Sequence, residues 1–524
     1  MSGSQARNAR DRADSSRSIT RSRLDWYITI LILIAGIAIR LIQYLTNRSL
    51  WTDEAMLAWN ILERNPSELL LPLNYHQASP VLFLLIVDFL TSLFGGGEPI
   101  LRLVPLLSSI AALGMFFLAA RILLDRTLVP VAVFVFAFSK PMVYFAQELK
   151  QYSTDAVVSV GLFYMFTRSF HDDRSKAGTL VVPVIAGSFF LFLSHTSIFV
   201  ITASFLVLLA MKLHDRTHHS RASILCAGGV WGIAFAINFR CFLTSISSDN
   251  YLASYWSGVF LPLPTHLTAI STWIKAPFEF FSYMGFAHGS QVIPVGLALV
   301  SIVTGLRTRV WPVILITVVL VLSGIASMLH IYPICGRLSI FLIPLSILLA
   351  VKGAERIPII RSTFGFLLVA GLLVTPVCLS GLPYLHSPIV KEEIRPLLDY
   401  CAFHRSPGDH LYIHRSAMHV VRYYLRNDPE LLGRIQIGSP EKPDRSNLGI
   451  DVREMKRHQR VWMLFGYSRK GEDRLILSAS GADPIESHHE TGAVLHLLRF
   501  DPSNDGDSWT PSRKKTILAT LKSP

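Results

Sequence analysis

The stretch Ser49-Leu50-Trp51-Thr52-Asp53-Glu54-Ala55-Met56-Leu57-Ala58-Trp59-Asn60 puts two carboxylates side by side. An ionised carboxylate is an acceptor only, so Asp53 or Glu54 can take the proton of an attacking hydroxyl or amine. The same pair also suits the first turn of a helix, where the dipole favours acids and Thr52 serves as cap. Ala55, Trp59 and Leu62 fall on one helical face, which predicts a helix lying along a membrane surface.

A second polar run, Tyr144-Phe145-Ala146-Gln147-Glu148-Leu149-Lys150-Gln151-Tyr152-Ser153-Thr154-Asp155, interrupts two apolar stretches. In a helix Gln147, Gln151 and Asp155 share a stripe, with Lys150 beside it. Ionisable groups at membrane depth are costly, which marks them as functional candidates. The alternative is a solvated turn between helices. Arg102 and Arg337 each stand alone at the start of an apolar span. A guanidinium can grip phosphate oxygens at two points, or its side chain can reach out to lipid headgroups. His195 and the pair His76-Gln77 are weaker candidates, since a lone histidine between helices is more often a packing residue. The chain has no Gly-rich phosphate loop, nucleophile elbow or zinc motif in a fitting context.

These residues have to be positioned by an unusually apolar chain. Of 524 residues, 51% are hydrophobic and only 16% charged, where a soluble domain carries about a quarter charged. The apolar residues gather at 26–46, 79–94, 100–122, 127–147, 152–170, 178–194, 196–212, 222–242, 291–306, 309–330, 336–352 and 363–381. Most of these approach the ~20 residues a helix needs to cross a bilayer. The expectation is an all-α polytopic membrane domain of about 11–13 transmembrane helices. Loops at 121–126, 168–176, 212–221, 307–309 and 352–361 are short and basic, which places them in the cytoplasm with the N-terminal tail. The loops 47–78 and 243–290 then lie outside. Parity fails once, at 79–94, leaving that segment re-entrant, interfacial, or spanning against the charge bias at 121–126.

The net charge of +13 therefore reports membrane orientation, and no nucleic-acid partner is expected. Cys226, Cys241, Cys335, Cys378 and Cys401 show no metal-ligand spacing and read as unpaired. Residues 1–24 form a basic, disordered tail, and the first apolar run lacks a cleavage site, so it reads as a span. After residue 385 the pattern changes. Helix-patterned stretches at Lys391–His404 and Met418–Arg426 alternate with β-rich runs at His410–His414, Arg460–Phe465 and Val494–Phe500. That predicts a transmembrane domain over 25–385 and a small soluble α/β domain over 386–524.

In order, Trp51-x-Asp53-Glu54, Phe94-Gly95…Glu98…Leu101-Arg102-Leu103, Glu148-Leu149-Lys150-Gln151-Tyr152-Ser153-x-Asp155 and Tyr332-Pro333…Gly336-Arg337 resemble the GT-C superfamily of membrane glycosyltransferases. Within it the chain resembles the bacterial relatives of dolichyl-phosphate-mannose protein mannosyltransferase and of lipid A aminoarabinose transferase. The resemblance covers roughly residues 25–380. It implies a hexosyl- or pentosyltransferase of the inner membrane, active on its extracytoplasmic side. Such an enzyme moves a sugar from a polyprenyl-phosphate carrier to a glycan, lipid or protein acceptor with inversion. It further implies Asp53 as base with Glu54 beside it, Asp155 as a second acid, and Lys150, Arg102 and Arg337 as partners of the lipid phosphate. Gln147, Tyr152 and His195 join the substrate-binding set. Many relatives carry Lys-Pro-Pro where this chain reads His76-Gln77-Ala78-Ser79-Pro80, so His76 or Gln77 stands in for that lysine. No cofactor or protein metal ligand is assigned, and a divalent cation is left open. The competing expectations are a polytopic transporter or lipid flippase, which should show repeated halves with broken spans, and a receptor working through residues 386–524.

Overall fold

The computed structural model describes residues 2–171, 180–385, 387–428, 435–438, 451–466 and 472–500. They form two compact units, one of Met1–Thr46 with Arg64–Pro388 and one of Asn47–Glu63 with Ile389–Pro524.

The first unit is helical throughout. Among the described residues, six helices are long and apolar enough to cross a membrane: Leu24–Leu45, Leu103–Leu123, Arg221–Leu243, Trp311–Met328, Gly336–Ala354 and Thr363–Gly381. Val81–Phe94, Val181–Leu193, Ser197–Leu213 and Val292–Thr308 are shorter apolar helices, and Tyr152–His171 is a further helix. The chain is a multi-pass membrane protein. Where the sequence suggests a disordered tail, the first helix runs on from Ser2 to Leu45. No proline or glycine lies between Gly3 and Gly36 to break it. The described part of the remaining apolar segment, Arg126–Phe138 plus Lys140–Gln147, is bent by 57° at Ser139. Pro141 explains the break, since its ring cannot follow a helical turn and it donates no N–H.

The buried guanidinium of Arg40 fixes that bend to the first helix. It donates to Ser109 Oγ at 2.8 Å and to the carbonyls of Gly36 at 2.7 Å and Ala137 at 2.9 Å. The helices can meet there because position 36 is glycine. A Cβ at that position would lie 2.9 Å from Ala137 Cβ. The helix Tyr152–His171 packs against Leu103–Leu123 and the turn Gly336–Leu342, so the polar run before it is enclosed on several sides.

The second unit is built on a five-stranded sheet of order β2-β1-β3-β5-β4, with β1 His410–Ile413, β2 Ile435–Ile437, β3 Arg460–Phe465, β4 Pro484–Glu490 and β5 Ala493–Arg499. β1 pairs in parallel with β2 and β3, while β5 runs antiparallel to both β3 and β4. The inner strands β3 and β5 are almost wholly buried, as their largely apolar sequences require, with His496 the polar exception in the middle of β5. β4 is an exposed edge, blunted by Pro484 and its charges. The helices Arg395–His404, Met418–Tyr424 and Glu472–Ser480 complete the described part.

This unit also takes in Asn47–Glu63. The helix Thr52–Glu63 packs on Met418–Tyr424 and buries Glu54, Ala55, Leu57, Ala58, Asn60 and Ile61. The expected apolar face is therefore corrected. Trp59 and Leu62 are only partly buried, because the helix turns toward the sheet domain the side that carries Leu57 and Ile61.

Candidate active site

In the sheet-containing unit, the expected base stands at the start of the helix Thr52–Glu63. Asp53 and Glu54 both occupy its first turn, yet their surroundings differ. Glu54 is fully buried and pairs with Arg48 at 3.2 Å, itself 1% exposed at the side chain. That carboxylate is committed to holding the loop together. Asp53 is half-buried, the condition a base needs if it is to meet a substrate. Lys391 covers the Trp51 ring, its ammonium 3.7 Å from the centroid.

In the membrane unit, the run from Gln147 to Asp155 is not a solvated turn. Gln147, Glu148, Lys150, Gln151, Ser153, Thr154 and Asp155 are all buried. Lys150 donates from its ammonium to Gln77 Oε1 at 2.6 Å. Gln147 donates to Gln43 Oε1 at 2.9 Å, and Gln43 in turn donates to the Tyr384 carbonyl. Ser194 donates to Asp155 Oδ1 at 2.6 Å and lies 3.0 Å from Thr196 Oγ1. The short turn carrying His195 thereby orients the Asp155 carboxylate. Burial pulls the His195 imidazole down to about 4, so it is neutral at neutral pH.

Arg337 lies over two aromatic rings, 5.9 Å from the Tyr152 centroid and 5.6 Å from that of Trp256. Tyr283 feels both Arg337 and Glu148: burial pushes its phenol up, Glu148 adds to that and Arg337 opposes it. Burial likewise raises the Tyr332 phenol well above its ordinary range, with Asp155, Tyr152 and Cys335 adding to the effect. Both phenols thus remain protonated donors. Around the 147–155 run the membrane unit gathers two cations, Lys150 and Arg337, with acids and protonated phenols between them. Arg102 is 2% exposed, so it does not reach out to lipid headgroups.

Of the two stand-ins for the missing lysine, Gln77 faces Lys150. His76 instead pairs with Asp249 at 2.8 Å and stacks on Tyr251 at 4.3 Å, joining the loop before Val81 to the 243–290 loop. Tyr75 and His76 both hold a positive φ, a left-handed backbone that side chains rarely adopt and that clusters at functional sites. Sequence reasoning did not single out Gln43, Asp249, Trp256 or Tyr283, which come from distant segments. It quoted Glu148 and Tyr332 in their motifs without giving them a role. Among the described residues no group of three or more His, Cys, Asp or Glu side chains is arranged to hold a metal ion.

Solved structures share this fold. ArnT from Cupriavidus metallidurans bound to undecaprenyl phosphate aligns with a TM-score of 0.52 at 14% identity, covering 89% of this chain and 97% of that one. The apo ArnT structure aligns at 0.50 and 13% identity, over 91% and 99%. The archaeal oligosaccharyltransferase AglB from Archaeoglobus fulgidus, in complex with an inhibitory peptide and a dolichol-phosphate, aligns at 0.51 and 11% identity, over 90% and 74%. No protein-family model and no curated protein sequence matches the chain. The fold is that of the GT-C membrane glycosyltransferases.

Proposed function

We propose that this chain is a membrane glycosyltransferase that moves a hexose or pentose from a polyprenyl-phosphate carrier to an acceptor outside the cytoplasm, with inversion. The observation that carries the reading is the buried polar run from Gln147 to Asp155, with Lys150 at its centre and Arg337 stacked on Tyr152, inside a GT-C fold. A membrane protein does not enclose a lysine and several acids without use, because each is costly away from water. The ArnT and AglB structures that share the fold hold polyprenyl phosphates, which is the ligand class such a cation set suits.

In this mechanism the acceptor oxygen attacks the anomeric carbon as the carbon–oxygen bond to phosphate breaks on the opposite face. One displacement inverts the configuration. Asp53 takes the acceptor proton, and the polyprenyl phosphate leaves with the bonding electrons. Lys150, Arg102 and Arg337 offset the charge that builds on the phosphate, with the guanidinium able to meet two oxygens at once. Gln147, Gln77, His195 and Tyr152 shape the donor pocket, and Asp155 is the second acid. Glu54 contributes the fixed loop that carries Asp53.

The purified full-length protein in lipid nanodiscs should bind undecaprenyl phosphate. It should also transfer sugar from one member of a set of undecaprenyl-phosphate-linked hexoses and pentoses to cell-envelope glycan or lipid. Binding of the lipid and its movement across the bilayer with no sugar transferred would turn the reading toward a transporter.

A further inference from the structure

Asp53 owes its place to a segment more than three hundred residues away in sequence. Residues 391–393 were expected to begin a helix, but that helix starts only at Arg395. They instead run as an extended clasp between two parts of the same unit. On one side Glu393 N–H donates to the Thr491 carbonyl at 2.8 Å, in the turn between β4 and β5. Glycines at 466 and 492 let the clasp seat closely: a Cβ on Gly466 would run into Glu392 Oε1, and one on Gly492 into the Lys391 carbonyl.

On the other side the two carboxylates hold the loop that leads to Asp53. Glu393 accepts from Ser49 N at 3.1 Å and from Ser49 Oγ at 2.5 Å. Glu392, fully buried, accepts from Thr52 N at 2.8 Å, and its Oε2 lies 3.0 Å from Thr52 Oγ1. Tyr424 Oη accepts from Leu50 N at 2.9 Å between them. The first backbone N–H groups of a helix have no partner within the helix. Glu392 supplies one from outside, and its charge also sits favourably at the positive end of the helix dipole. Asp53 is the next residue after the one gripped.

We propose that Glu392 and Glu393 are positioning residues for Asp53: together they fix the start of its helix, so that the sheet domain sets where the base points. The inference rests on the proposed function, and it gives the C-terminal domain a part in catalysis. Loosening the clasp should act on the chemical step, because a misplaced base loses rate steeply even when it stays in reach. Donor affinity should not change, since none of the donor-phosphate candidates lies in this clasp.

The test uses the full-length protein in nanodiscs, with the undecaprenyl-phosphate sugar that the wild type turns over. Four variants probe the clasp from both sides, Glu392→Gln and Glu393→Gln from the domain, Thr52→Val and Ser49→Ala from the loop. Each should lower kcat, by about 10- to 100-fold for Glu392→Gln, with donor KM within twofold of wild type. Thr52→Val in the Glu392→Gln background should add less than it costs alone, because the two share the Thr52 Oγ1 contact with Glu392, while Thr52 Oγ1 also lies 3.0 Å from the Ser416 carbonyl. Should Glu392→Gln not fold, the two loop-side variants carry the test alone. Wild-type kcat in folded clasp variants, alongside an inactive Asp53→Asn, overturns the positioning role and leaves the enzyme reading intact. Fully additive losses, or donor KM rising in step with the fall in kcat, also overturn it. Wild-type turnover in Asp53→Asn takes the base role from Asp53 and with it the positioning role, whereas no sugar transfer by the wild type defeats the enzyme reading itself.

Discussion

The Lys150 ammonium donates to Gln77 Oε1 at 2.6 Å, so a neutral amide stands where the sequence resemblance leads to the expectation of a second lysine. In the proposed function Lys150 and Arg337 both meet the donor phosphate. Lys150→Met keeps most of the side-chain length and removes the charge. Donor KM is expected to rise about tenfold or more, the loss of one charge-assisted bond. Steady-state kinetics at varied donor concentration check this, and an unchanged KM would remove Lys150 from the phosphate site.

Arg337 stacks on Tyr152 and Trp256, a geometry that a lysine cannot reproduce because it lacks the planar fork. Arg337→Lys should therefore raise donor KM by about tenfold although the charge is kept. An arginine that only anchored its helix would tolerate the change almost fully. Unchanged KM and kcat would assign Arg337 to anchoring.

The buried pair of Arg48 and Glu54, 3.2 Å apart, predicts a stability effect rather than a catalytic one. Glu54→Gln leaves the arginine without its counter-charge, which typically costs about 3–5 kcal/mol. Thermal unfolding of the purified protein should show the loss. Replacing both partners with apolar residues, Arg48→Met with Glu54→Leu, should recover most of it. A Glu54→Gln variant as stable as wild type would contradict the structural role of the pair.

Two histidines of the sheet domain give it a pH dependence. Burial pulls His414 down to about 4, with Arg415 adding to the shift, and burial with Arg422 does the same for His419. Their folded pKa values lie below the ordinary value of 6.5, so the unfolded chain binds more protons between the two. Stability is fully present above about pH 6.5 and falls as pH drops toward 4, by a few kcal/mol. Hydrogen exchange in the strands His410–Ile413 and Arg460–Phe465, corrected for intrinsic rates, should show protection lost from pH 7 to pH 5. Equal protection at both values would contradict the assignment.

Much of this was legible in the sequence, for reasons that differ from element to element. The apolar helices announce themselves by composition, because lipid leaves a backbone few other ways to satisfy its polar groups. β3 and β5 were visible as largely apolar runs. β4 was not, since Pro-Ile-Glu-Ser-His-His-Glu reads as loop and becomes a strand only because β5 offers it a ladder. The assignment of 47–63 to the sheet domain was equally hidden. It depends on Glu392 and Glu393 meeting Ser49 and Thr52, a pairing across the chain that no local pattern records. The polar run at 147–155 stood out in sequence, but its burial, and the choice of Gln77 over His76 as the neighbour of Lys150, needed the packed structure.

The central claim is that Asp53 takes the acceptor proton, and Asp53→Asn tests it most directly. Asparagine keeps the size and can start a helix as well as aspartate, so folding and undecaprenyl-phosphate binding should be unaffected. Removing the base should lower kcat by about two to four orders of magnitude. Measured on folded protein in nanodiscs with the donor the wild type uses, that loss at unchanged donor binding is the expected result. Turnover near the wild-type level would contradict the account and leave Asp53 as no more than a helix-start residue.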